Sequence, residues 1–128
     1  MIHFSFVASG IFELDSLKSV DKFVDLYSDF QSVALENEEE LSLLLQLMGI
    51  EGIDGKELDN SDFSKYWDLS NYKFPEFNKE QFDDFYESWI ASSGRDNNMD
   101  EYGSLICLHS LFEKWNKLDY RIIVKEEN

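Results

Sequence analysis

Residues 101 to 125 read EYGSLICLHSLFEKWNKLDYRIIVK, and they change period partway. Tyr102, Leu105, Leu108, Leu111, Phe112, Trp115 and Leu118 recur at helical spacing. After Asp119 the pattern alternates. Tyr120, Ile122 and Val124 fall on one side, and Arg121, Ile123 and Lys125 on the other, which is the signature of a strand. A helix that runs straight into a strand supplies a core pillar and a sheet element in one segment. Residues 95 to 125 are also balanced in charge, with five acids and five bases. The rest of the chain is strongly acidic.

Working outward, the amino-terminal residues pair naturally with that strand. Ile2, Phe4, Phe6 and Ala8 alternate with His3, Ser5, Val7 and Ser9, which predicts a half-buried strand. The segment lacks the basic start of a secretory signal and soon alternates with polar residues, so it reads as structure. Ser9-Gly10 offers a turn into residues 11–14, or a loop leading to a first helix. That helix is expected from Asp15 or Ser16, with Leu17, Val20, Phe23, Val24, Tyr27 and Phe30 on its inner face. Asp21, Asp25 and Asp29 form an acidic stripe at four-residue steps, where like charges repel by a few tenths of ~1 kcal/mol per pair.

The second helix has sharp ends. Asn37 with Glu40 makes an Asx capping box, Leu41, Leu44, Leu45 and Met48 make the buried stripe, and Gly49 is the expected stop. Glu38, Glu39 and Glu40 sit at the positive end of the helix dipole, which gives them a local structural role. Residues 50 to 76 are turn-rich, and then Phe63, Tyr66, Trp67, Tyr72 and Phe74 crowd together. A short helix from Asp59 or Ser61 to about Leu69 is expected there, closed off by Pro75. Aromatics on such a segment serve either a core or an interface. A third helix follows. Asn78 and Gln81 form a capping box, Phe77 and Phe82 a hydrophobic staple, and Gly94 ends it. Asn98 and Glu101 offer another box for the fourth.

The predicted fold is α+β: a single helix-dominated domain over residues 1–128, with about four main helices. Its small sheet is formed by the N- and C-terminal strands, residues 2–8 and 120–125, with residues 11–14 able to join. At 128 residues, 43% hydrophobic and 16% aromatic, the chain is too apolar for a disordered acidic tail. The longest apolar run, residues 41–50, is about half of the ~20 residues that a membrane span needs. Cys107 is the only cysteine, so no intramolecular disulfide exists, and a reducing cytoplasmic setting is expected.

Catalytic and metal chemistry find little footing. Cys107 and His109 diverge on a helix and cannot share an ion. His109 has Glu113 four residues on and reads as a boundary histidine held by a carboxylate. Asp96, Asn98 and Asp100 imitate the start of a calcium loop, yet Glu101 stands where its glycine belongs and Cys107 where its last glutamate belongs. No glycine-rich phosphate loop is present. The expectation is therefore no enzyme, no cofactor, no metal and no catalytic residue.

Charge points to a partner. The formal net charge is −16, from 27 acids against 11 bases, well above the ~2–8 in magnitude that suits a small soluble domain. Such a surface repels nucleic acid and anionic membrane and attracts basic proteins. Residues 13 to 62 hold fourteen acids and three bases. In being short, acidic, cysteine-poor and without catalytic motifs, the chain resembles in kind the cytosolic immunity proteins that bacteria make against nuclease toxins. The likeness is one of composition and class, with no motif matched. It implies a non-catalytic inhibitor of a basic toxin. A phage anti-defence protein or nucleic-acid mimic acting on a nucleic-acid-binding enzyme is the alternative, and a small enzyme the third class. The expected contact set is Asp21, Asp25, Asp29, Glu51, Asp54, Glu57, Asp59 and Asp62, with Tyr66 and Trp67 as aromatic anchors.

Overall fold

Strand β1 (Ile2–Ser9) is buried on both of its faces. Phe4, Phe6 and Ala8 point into the main apolar cluster, while Ser5 and Val7, on the opposite face, are equally closed to solvent. Its backbone is paired along both edges as well: the sheet order is β2-β1-β5-β4-β3, with every neighbouring pair antiparallel. The computed structural model describes residues 2–9, 29–57, 63–69, 72, 74–118 and 121–127.

The terminal strands pair as their alternation predicted. β5 (Arg121–Glu127) runs against β1 with Phe6 opposite Val124 and Ala8 opposite Ile122. The sheet is larger than expected, however. β2 (Asp29–Leu35) occupies the other side of β1, with Phe4 opposite Val33 and Ile2 opposite Leu35. Asp29 and Phe30, read from sequence as the end of the first helix, therefore belong to a strand. Residues 10–28, which carry the rest of that expected helix and the expected strand over 11–14, lie outside the described residues.

A second correction concerns the aromatic segment. β4 (Phe63–Asp68) is a strand on β5, with Trp67 opposite Val124 and Tyr66 opposite Lys125, where a short helix was expected. The physical reason is an open row of β5 backbone groups, which a neighbouring strand satisfies. Once paired, Trp67 and Leu69 turn inward while Tyr66 and Asp68 stay half-buried. The two-residue β3 (Lys56–Glu57) closes that side of the sheet.

Three helices appear among the described residues, against the four expected. α1 (Glu38–Leu47) is capped by Asn37, whose side chain accepts the Glu40 amide at 2.9 Å. α2 (Lys79–Ser93) has both bonds of the Asn78–Gln81 capping box and ends on Gly94, whose φ of 72° suits glycine. α3 (Met99–Leu118) is capped by Asn98 and leads toward β5, as its change of period indicated. Leu105, Leu108, Phe112 and Trp115 form its buried stripe. Phe112 is the hinge of the core. It meets Phe6 of the sheet edge-on at 5.6 Å and stacks on Phe74 at 3.7 Å. No helix among the described residues is long and apolar enough to cross a membrane.

Leu108 retains 1% of its surface, so Leu108→Ala opens a cavity and is expected to cost ~2–5 kcal/mol. Urea unfolding measures it. A loss below ~0.5 kcal/mol, the range of ordinary surface changes, would show that α3 is not the pillar of the core.

Candidate functional site

The acids divide into two sets. One set is turned inward and neutralised, chiefly by Arg95. Its guanidinium donates to Glu40 Oε1 through Nε at 3.0 Å and again through Nη2. It also donates to the Ala34 carbonyl at 3.0 Å and to Glu101 Oε2 at 3.4 Å. The Trp89 ring lies 5.7 Å from it, and the Trp89 indole donates to the other oxygen of Glu101 at 2.8 Å. One side chain thereby joins β2, α1, the end of α2 and the start of α3. Only the planar, many-donor fork of arginine serves this geometry. Lys65 does a smaller version of the same, reaching Glu38 at 2.9 Å. Sequence reasoning assigned Glu38 and Glu40 a structural role but missed Arg95. Its signal was its rarity, as one of two bases among eight acids over residues 76 to 101.

The second set faces solvent. Glu36, Glu39, Glu51, Asp54, Glu76, Glu80, Asp84, Glu87, Asp96 and Asp100 are exposed. Glu80, Asp84 and Glu87 share the outer face of α2 at four- and three-residue steps, opposite the Phe82, Phe85 and Trp89 stripe. The contact set expected from sequence lies mainly elsewhere, over residues 13 to 62. Of that set, Glu51 and Asp54 sit together in the loop between α1 and β3. Asp29 and Glu57 lie in strands β2 and β3. Asp21, Asp25, Asp59 and Asp62 lie outside the described residues.

The two expected anchors part company because a strand sends neighbours to opposite faces. Trp67 is 3% exposed and meets Phe4 edge-on at 5.6 Å, so it is a core residue and not a surface anchor. Tyr66 lies on the other face, half-buried. The loop is seated against this part of the core. A Cβ on Gly55 would come within 2.8 Å of the Trp67 ring, so only glycine lets the backbone approach that closely.

His109 keeps the role its neighbour implied and gains a second. Its Nδ1 faces Glu113 Oε1 at 3.7 Å, while its Nε2 accepts the Phe77 amide at 3.0 Å, tying the entry of α2 to α3. Cys107 is exposed on α3. Asn98 caps α3 and Asn97 accepts the Tyr86 hydroxyl at 2.9 Å, so both asparagines have structural bonds. Among the described residues, no group of three or more histidine, cysteine or acidic side chains is arranged to hold a metal ion. Comparison with protein-family models, curated proteins and solved structures returns no match.

Two tyrosines report on the acidic environment. Tyr102 donates to Asp83 at 3.0 Å, and that hydrogen bond, with burial, raises its pKa. Burial raises that of Tyr86, with Glu101 adding to the shift. The folded chain holds these protons more tightly than the unfolded chain does. Their stabilising effect is present below the ordinary tyrosine value of about 10 and is lost as pH rises through the raised folded values. Denaturant midpoints measured upward from pH 9 should fall, and fall less steeply in Tyr102→Phe.

Arg95→Met leaves Glu40 and Glu101 facing each other without their cation. The charged side chains retain 13–19% exposure, so the expected cost is ~3 kcal/mol, the lower end for breaking a buried pair. Arg95→Lys should recover only part of it. A loss within ~0.5 kcal/mol for Arg95→Met would show the network to be incidental.

Proposed function

We propose that this chain is a non-catalytic acidic inhibitor that binds and neutralises a basic protein in the cytoplasm, with a nuclease-type toxin as the target class. The observation that carries the reading is how the charge is distributed. Among the described residues ten acids are exposed against four bases, Lys56, Lys79, Lys114 and Lys117, while Arg95 and Lys65 are held by acids within the fold; Glu80, Asp84 and Glu87 on α2 and Glu51 and Asp54 on the loop face outward. Facing outward costs no desolvation, and it generates a negative field that extends about a Debye length, ~8 Å at physiological salt. Enzymes that bind phosphate backbones carry the opposite field. An acidic surface of this kind is steered to such a protein and competes with its nucleic acid.

The test has two stages. Where the product of a neighbouring gene arrests growth, co-expression of this chain should restore it. Association of the two purified proteins should then slow as salt rises from 50 to 500 mM, by roughly tenfold or more if steering dominates. Glu80→Lys with Asp84→Lys should slow association at low salt and flatten its salt dependence, with dissociation little changed. Association that is insensitive to salt in the parent protein would refute the electrostatic reading.

A further inference from the structure

The loop that carries Glu51 and Asp54 folds back on the last turns of α1 and leaves an open groove of about 370 Å³. This is within the range of small-ligand clefts, which run ~300–1,000 Å³. Its floor is apolar, made by Leu45, Ile50 and Ile53. Ser42 and Gln46 of α1 form one wall, and Glu51 and Asp54 stand on the loop side. Among the described residues, no lysine, arginine or histidine lines it.

We propose that this groove receives an arginine side chain of the basic partner. The inference rests on the reading above that the partner is basic, and it adds where and how one of its residues is held.

Three features agree on a cation with an apolar stem. The first is the lining itself: two carboxylates over an aliphatic floor complement a charged head on a methylene chain. The second is the position of the groove at the carboxyl end of α1. That end carries the negative pole of the helix dipole, and α1 has no basic residue in its last turn to offset it. Helix, Glu51 and Asp54 thus add fields of one sign, and no basic side chain stands among the described residues that line the groove. The third is rigidity. The Gly49 amide donates to the Gln46 carbonyl and the Ile50 amide to the Leu45 carbonyl, each at 2.9 Å, and Gly55 seats the far end of the loop on Trp67. A groove held in this way needs little ordering when it is filled.

Arginine fits this better than lysine. Its planar head has five donors and can serve two carboxylates and the Gln46 amide oxygen together, and it is shed from water more readily than an ammonium. The outer face of α2 offers acids on the convex surface of a helix. It can steer a partner, while the groove can hold one.

The experiment uses the full chain, isotope-labelled for amide NMR, and three capped pentapeptides. These are Gly-Gly-Arg-Gly-Gly and its lysine and citrulline counterparts, the last having nearly the shape of arginine without the charge. The arginine peptide should shift the amides of residues 42–55, with binding at least tenfold tighter than the citrulline peptide and measurably tighter than the lysine peptide. Glu51→Gln with Asp54→Asn should remove the effect. Ser42→Trp, which fills the groove from the exposed side of α1 and keeps both carboxylates, should remove it as well while the rest of the spectrum stays in place. Equal binding of citrulline or lysine overturns the arginine assignment. Salt-sensitive shifts confined to the outer face of α2 overturn the groove and leave the basic-partner reading intact. No salt-sensitive shift on any surface overturns both.

Discussion

The structure depends on β1 being closed on both faces. This strand hides Phe4 and Phe6 on one side and Ser5 and Val7 on the other, and its backbone is paired along both edges, by β2 and by β5. Its two neighbours come from distant parts of the chain, β2 from its first third and β5 from its end. The core is therefore assembled from long-range contacts, and α3 is positioned by the strand that follows it. Even the buried hydroxyl of Ser5 finds its partner across the sheet, in Ser32 at 2.8 Å. An unpaired hydroxyl there would cost about 1–3 kcal/mol.

Charge follows from that assembly. A chain with a net charge of −16 repels itself, and the fold responds by giving some acids a partner and leaving the others in water. Arg95 is the main instrument of the first solution. By holding Glu40 and Glu101 while capping the Ala34 carbonyl, it turns self-repulsion into a clasp between helices and sheet. The second solution leaves a surface whose field reaches outward, and the proposed activity uses that field.

The two solvent-facing acidic regions differ in what they can do. The row on α2 lies on a convex helix and keeps its hydration, so it acts at a distance and is weakened by salt. The loop at the end of α1 combines acids with an apolar floor and a helix terminus. A side chain seated there would lose part of its hydration, and its contacts would be stronger for it. Steering and holding would thus be separated in space, the first governing encounter and the second the lifetime of a complex.

Local sequence determined much of this. The caps at Asn37, Asn78 and Asn98, the stop at Gly94 and the helical periods of α1, α2 and α3 act within a few residues, so their signals survive without context. The alternation in residues 2–8 and 122–124 likewise fixed which side chains of β1 and β5 face the helices, and with it the pairing of the chain ends. Tertiary structure decided the rest. Residues 63–68 carry aromatics that suit a helix or a strand equally, and only the open flank of β5 selected the strand. That choice sent Trp67 into the core and Tyr66 to the opposite face. Asp29 and Phe30 joined β2 because β1 needed a second neighbour. Arg95 acquired its role from Ala34 and Glu40, sixty-one and fifty-five residues away. The groove, too, exists only because the loop packs back on α1. Pairing across such separations depends on which surfaces the folded chain brings together, and no local pattern records it.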